Sequence, residues 1–161
     1  MTTVSTIIRP TIKADRASIL ALVEQTGFFR PDEVLVAQDV LDDALKAGPN
    51  NMYASFTATA DGTPVGWICI GPTLCTLGTF DIYWIAVSGA RHRKGIGRQL
   101  LEHAEESIRK AGGRLVVIET SNREQYKPTR AFYLRNGYVE EACLKDFYAP
   151  GDDKVIYLKR L

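Results

Sequence analysis

The run Asp81-Ile82-Tyr83-Trp84-Ile85-Ala86-Val87 passes through Arg91-His92-Arg93-Lys94-Gly95-Ile96-Gly97-Arg98 into Gln99-Leu100-Leu101, and this order constrains the fold more than any other part of the chain. It reads as a buried strand, a basic turn punctuated by glycine, and then a helix, so the first N–H groups of that helix face whatever sits beyond the strand end. Gly95 and Gly97 let the backbone come close to a bulky pyrophosphate with no Cβ in the way. The helix dipole adds partial positive charge, and Arg91, Arg93, Lys94 and Arg98 add full charges. The ligand expected here carries several negative charges, as a nucleotide diphosphate or coenzyme A does.

Spacing separates this turn from two other phosphate loops. A Walker loop needs Gly-x-x-x-x-Gly-Lys-Ser/Thr, and the chain has no such run. The dinucleotide fingerprint asks for a small residue where this chain has Leu100, and for an acidic residue ending the next strand, a place Glu119 could fill. That reading is weakened rather than removed.

The same residues carry a resemblance. His92, Gly95 and Gly97 are similar to the fixed positions of Gln/Arg-x-x-Gly-x-Gly/Ala, the acetyl-coenzyme A signature of the GNAT superfamily of N-acetyltransferases, with His92 standing where the pattern has Gln or Arg. Ala131-Phe132-Tyr133-Leu134-Arg135-Asn136-Gly137-Tyr138 resembles the second motif of that superfamily, and weaker similarity runs from Ile8-Arg9-Pro10 to the C-terminus. The resemblance implies an α/β (α+β) domain spanning residues 1–161. Its mixed, strongly twisted sheet of about seven strands would be flanked by about four helices, with splayed central strands holding acetyl-coenzyme A.

Composition agrees with a small enzyme. The chain has 161 residues and a formal net charge of +1, so its overall balance points to neither nucleic acid nor an acidic membrane surface. No apolar run reaches the roughly twenty residues of a membrane span, and the first residues lack the pattern of a secretory signal. A cytoplasmic protein is the expectation. Cys69, Cys75 and Cys143 are odd in number and widely spaced, which suggests reduced thiols rather than a disulfide framework. With His92 and His103 as its two histidines, the chain has little from which to build a metal site or a Ser-His-Asp triad.

Periodicity gives a first strand at Val4–Arg9, ended by Pro10-Thr11, and a helix starting at Asp15 and Ser18 and closing near Gly27. A second helix runs from Pro31 to Ala47-Gly48-Pro49. Tyr53–Ala60 and Val65–Ile70 form a hairpin around Asp61-Gly62, followed by the strand Thr79–Val87. The helix from Gly95 to about Ala111 has an apolar stripe of Ile96, Leu100, Leu101, Ala104 and Ile108, with Glu105/Arg109 and Glu106/Lys110 as pairs on the wet side. Arg114–Thr120 is a buried strand parallel to Thr79–Val87, joined to it by a β-α-β crossover. A short helix at Thr129–Asn136 and strands near Val139–Phe147 and Lys154–Lys159 complete the order.

An acyl thioester is already activated, so a protein using it must deliver a neutral amine, stabilise the oxyanion and return a proton to the thiolate. The resemblance makes Tyr133 the candidate acid, the alternative being a core aromatic. Asp81 and Glu119 each match a position where members of the superfamily carry a catalytic glutamate. Either could accept the amine's proton, and a water relay with no base is the third option. Coenzyme contacts are expected from Ile85, Ala86 and Val87 for the pantetheine, and from His92, Arg93, Lys94, Gly95, Ile96, Gly97 and Arg98 for the phosphates. Tyr126 falls where many members have a coenzyme-contacting asparagine, Asn122 is a secondary candidate, and Arg130 could reach a phosphate.

Tyr83 could line an acceptor pocket, with the aromatic pair Phe28 and Phe29 as its other wall. Asp146–Asp153, which carries Tyr148, resembles the hairpin by which protein N-terminal acetyltransferases hold a peptide, and is equally readable as a Pro-Gly turn. Asp152 and Asp153 could attract a cationic amine. The implied partners are acetyl-coenzyme A and a primary amine on a small molecule or a peptide, with no nucleic acid, membrane or metal. A homodimer is neither indicated nor excluded. The alternative function is a non-catalytic acyl-coenzyme A sensor or partner-binding module, which would need the phosphate turn but no placed acid and base.

Overall fold

The computed structural model describes residues 6–46, 48, 51–91 and 95–161. Among them the chain forms strands β1 (Thr6–Pro10), β2 (Ala54–Ala60), β3 (Thr63–Pro72), β4 (Thr79–Val87), β5 (Leu115–Ser121), β6 (Val139–Ala149) and β7 (Asp152–Arg160). The helices are α1 (Arg16–Gln25), α2 (Pro31–Ala44), α3 (Ile96–Lys110) and α4 (Lys127–Arg135). Among the described residues no helix is long and apolar enough to cross a membrane.

The strands make one mixed sheet in the order β1-β2-β3-β4-β5-β7-β6. Local chemistry sets its first half. Asp61 and Gly62 both adopt positive φ, 51° and 77°, which is what a two-residue turn between twisted antiparallel strands requires. Pro10 belongs to β1 rather than ending it, pairing with Phe56, because an edge strand tolerates a missing N–H.

Two cores clothe the two faces. Ile82, Leu100, Leu101, Ile108, Val116, Ile118, Tyr133 and Tyr157 pack under α3 and α4, while Ile19, Val23, Leu41, Trp67 and Cys69 pack under α1 and α2. A β-bulge between β3 and β4 skips Tyr83, since Cys69 pairs with Trp84 and Ile70 with Ile82. The extra residue leaves Ile82, Ile85 and Val87 on the α3 side and Trp84 and Ala86 on the α1 side.

The centre of the sheet opens. β4 and β5 are parallel neighbours for three pairs only, Thr79 with Leu115, Phe80 with Val116 and Asp81 with Val117. Beyond Asp81, β4 stays with β3 as far as Val87, whereas β5 stays with β7 as far as Ser121. The splayed central strands expected from the resemblance are therefore present, and their gap opens at the end where α3 begins.

Some expectations change. α2 ends at Ala44; Ala47 and Pro49, like Val4 of the first strand, lie outside the described residues. Glu105 is not on the wet side of α3 but buried, where it accepts hydrogen bonds from Lys159 at 2.8 and 2.9 Å and from the Tyr138 hydroxyl at 3.0 Å. The cation that makes this burial tolerable comes from β7, far along the chain. Arg109 turns instead to Glu106, 3.5 Å away. The last two strands are also longer than the periodicity suggested, and only Pro150-Gly151 separates them.

Candidate active site

Gly95 caps α3 with φ 78° and ψ 3°, a left-handed conformation that a side-chain-bearing residue adopts at a cost. The carbonyl of Gly95 accepts the N–H of Gln99, and the N–H groups of the first turn precede any intrahelical partner. No acid stands in that turn, so the positive end of the helix is not countered from within. Gly97 has a different reason to be glycine: a Cβ there would lie 3.3 Å from Phe132 of α4 and 3.7 Å from Val87. Its absence allows α3, α4 and the end of β4 to meet closely. Arg98 is held by Glu102 of its own helix at 2.7 Å, and His92, Arg93 and Lys94 lie outside the described residues.

Tyr133 projects from α4 into a group of rings, within about 6 Å of Phe132, Tyr138 and Tyr157 by centroid. Burial, first of all, pushes its pKa well above that of an ordinary phenol, so it stays protonated through the neutral range. Its hydroxyl has no hydrogen-bond partner among the described residues. A buried phenol in that condition is a proton donor available to a ligand.

The two candidate bases occupy one face. Asp81 alternates with Phe80 and Ile82 of the α3-side core, and Glu119 follows Ile118 of the same core, so both emerge on the α1 side of adjacent strands. Burial raises the pKa of Asp81 above the usual carboxylate range. The Thr73 hydroxyl at 2.6 Å opposes that shift, and the charge of Glu119 adds to it. Glu119 is half exposed and pairs with Lys154 of β7 at 2.6 Å.

Around them lies an aromatic wall. The Tyr126 hydroxyl donates to the carbonyl of Phe28 at 3.1 Å, and the two rings stand 5.6 Å apart, which ties the α1–α2 connection to the turn before α4. Phe29 packs on Trp84 at 5.0 Å and Tyr83 on Tyr53 at 5.2 Å. The Trp84 indole N–H is buried with no acceptor among the described residues. Tyr148 approaches from β6 beside Phe147, its pKa pushed up to about 12 by burial first and then by the charge of Glu119.

The placement of Tyr148 depends on a wide bulge. Leu144 pairs with Lys154 and Ala149 with Asp152, so residues 145–148 have only Asp153 opposite them. The Asp153 carboxylate gathers the bulge, accepting the Asp146 N–H at 2.9 Å, Lys145 Nζ at 2.8 Å and Asn122 Nδ2 at 2.9 Å. Asp152 is taken by the Ser121 hydroxyl and by Arg123 at 3.1 Å. Both aspartates serve the hairpin itself and are not open to a cationic amine. Asn122 is engaged with Asp153, and Arg130 donates to the carbonyls of Ser121 and Arg123, each at 2.9 Å.

Sequence reasoning missed Lys154, Thr73 and Trp84. A lysine inside an apolar strand was the one signal available for Lys154; the other two carry none.

A family model described as an acetyltransferase (GNAT) domain matches residues 52–140. A crystal structure of a Desulfovibrio desulfuricans protein, assigned to the GNAT family as an acetyltransferase, superposes with a TM-score of 0.92; it is 43% identical over 97% of this chain and 99% of that one. The ribosomal-protein-S18-alanine N-acetyltransferase of Escherichia coli is 19% identical, with a TM-score of 0.76 over 97% of this chain and 94% of its own. The PaiA N-acetyltransferase of Thermoplasma acidophilum, solved with coenzyme A, is 18% identical, with a TM-score of 0.75 over 98% and 99%. The last two are likenesses of fold. No curated protein matches the chain by sequence.

Proposed function

Since the chain belongs to the acetyltransferase (GNAT) family, we propose that residues 1–161 act as one domain that transfers an acetyl group from acetyl-coenzyme A to a primary amine, on a small molecule or a peptide, by direct attack in a ternary complex. The observation that carries this reading is the parting of β4 and β5 beyond Asp81 and Val117, beside a helix that starts on a left-handed glycine. The pyrophosphate would take the first N–H groups of α3, where the dipole and the basic turn favour it. The pantetheine would follow Ile85–Val87, which lie beyond the last β4–β5 pair, Asp81 with Val117.

The acceptor enters from the α1 and α2 side, between the Phe28–Tyr126 pair and Tyr83. Its ammonium gives a proton to Asp81 or Glu119, directly or through water, and the neutral nitrogen attacks the thioester carbon. As the tetrahedral intermediate collapses, the C–S bond breaks, Tyr133 gives a proton to the departing thiolate, and the second proton shed by the nitrogen passes through water to the phenolate, leaving a neutral amide. The raised pKa of Asp81 makes it a stronger base than an exposed aspartate.

The test is a panel of primary amines offered with acetyl-coenzyme A, read as release of free coenzyme A thiol, beside calorimetry of acetyl-coenzyme A alone. Amine-dependent release supports the reading. Tight binding with no release over the panel would favour a sensor.

A further inference from the structure

The acetyl-transfer scheme leaves one partly buried cation of the site, Lys154, without a role. Lys154 Nζ lies 2.6 Å from a Glu119 carboxylate oxygen and 3.9 Å from the centroid of the Phe147 ring. Its side chain is 12% exposed, against 45% for Glu119, so the long aliphatic stem is spent under the β6 bulge rather than in water. A lysine on a hairpin could reach solvent freely; this one is held by an anion on one side and an aromatic face on the other.

The neighbours explain what such a cation does. Asp81 reaches the same face from β4 and Glu119 from β5, and the charge of Glu119 disfavours that of Asp81. The other titratable groups nearby are Tyr148 from the β6 bulge, Tyr83 from β4, Tyr126 before α4, Glu33 from α2 and Asp152 on β7. None of them is a cation. Arg123 is engaged by Asp152 at 3.1 Å, and Arg30 by Asp32 of its own segment at 3.1 Å. Among the described residues Lys154 is thus the cation paired to Glu119, and its charge also reaches Asp81. We propose that Lys154 is a positioning residue for proton removal from the acceptor, holding the Glu119 carboxylate in place and balancing the charge it shares with Asp81. This rests on the acetyl-transfer reading, in which Asp81 or Glu119 takes that proton.

The experiment is the pH dependence of kcat/KM for the best amine of the panel, in the parent, Lys154→Met, Lys154→Gln and Lys154→Arg proteins. Loss of the cation should move the acid limb to higher pH by about one pH unit or more, equally in the Met and Gln variants, with acetyl-coenzyme A affinity by calorimetry unchanged. Lys154→Arg, which keeps the charge, should retain the parent limb. In a Glu119→Gln background, adding Lys154→Met should move the limb less than it does in the parent. A parent-like limb in folded Lys154→Gln, or a shift that persists in full without Glu119, overturns the proposal. Failure of the underlying reading looks different: Asp81→Asn and Glu119→Gln would then both keep the parent profile. If those two alter the profile and the Lys154 variants do not, the lysine proposal alone falls.

Discussion

Burial keeps the phenol of Tyr133 protonated well above neutral pH, and its hydroxyl has no partner among the described residues. Tyr133→Phe therefore removes a proton donor while leaving the ring contacts with Tyr138 and Tyr157 intact. Turnover should fall about a hundredfold or more if the hydroxyl is the acid, while stability changes by no more than about 1 kcal/mol; steady-state kinetics and thermal melting of the same preparation check both. Asp81 gives a prediction with a sign. A carboxyl whose pKa is raised on folding binds its proton more tightly in the folded state, so its contribution to stability is lost as pH rises through the folded value. Asp81→Asn should melt higher than the parent at neutral pH and match it more closely near pH 4, even as it slows turnover. The placement of Tyr133 on α4, Asp81 on β4 and Glu119 on β5 was legible because each sits in a motif or near the end of a readable strand. Lys154 and the buried Glu105 were not, since their partners are 35 and 54 residues away in sequence and only the sheet brings them together.

The start of α3 carries the coenzyme argument at the level of elements. Gly95→Ala forces a Cβ into a left-handed conformation and should cost about 1 kcal/mol or more. At Gly97 the obstacle is a neighbour rather than φ: the added Cβ meets Phe132 at 3.3 Å. Gly95→Glu, which also sets a negative charge where the coenzyme phosphates are proposed to bind, should weaken acetyl-coenzyme A binding by calorimetry more than Gly95→Ala does. The other end of α3 is fastened by Glu105. Removing one member of its buried pair with Lys159, as in Glu105→Ala, should cost about 3 kcal/mol or more, read as a lowered denaturation midpoint. Helix and strand order were readable from period and punctuation. The β6 bulge was not, because residues 145–148 wrap a carboxylate that no local pattern marks as buried.

At the level of the whole molecule, one crossover organises the site. β4 and β5 are parallel because α3 joins them, and they part because each has a better antiparallel partner, β3 on one side and β7 on the other. The parallel pairing was legible from the apolar run Leu115-Val116-Val117-Ile118 after a long helix. Where it would stop was not, since that depends on β7 returning between β5 and β6. In the proposed reading, the gap between the parted strands takes the thioester, with the start of α3, the phenol of Tyr133 and the carboxylates of Asp81 and Glu119 about it, and the acetyl group passes there to an amine. The most direct measurement uses acetyl-coenzyme A labelled in its acetyl group, with the label followed after reaction with the best amine. The account predicts that the label appears in the N-acetylated amine in equal amount to the free thiol, with none on the protein. Label that remains on the coenzyme, collects as free acetate or stays bound to the protein would contradict direct transfer to the amine.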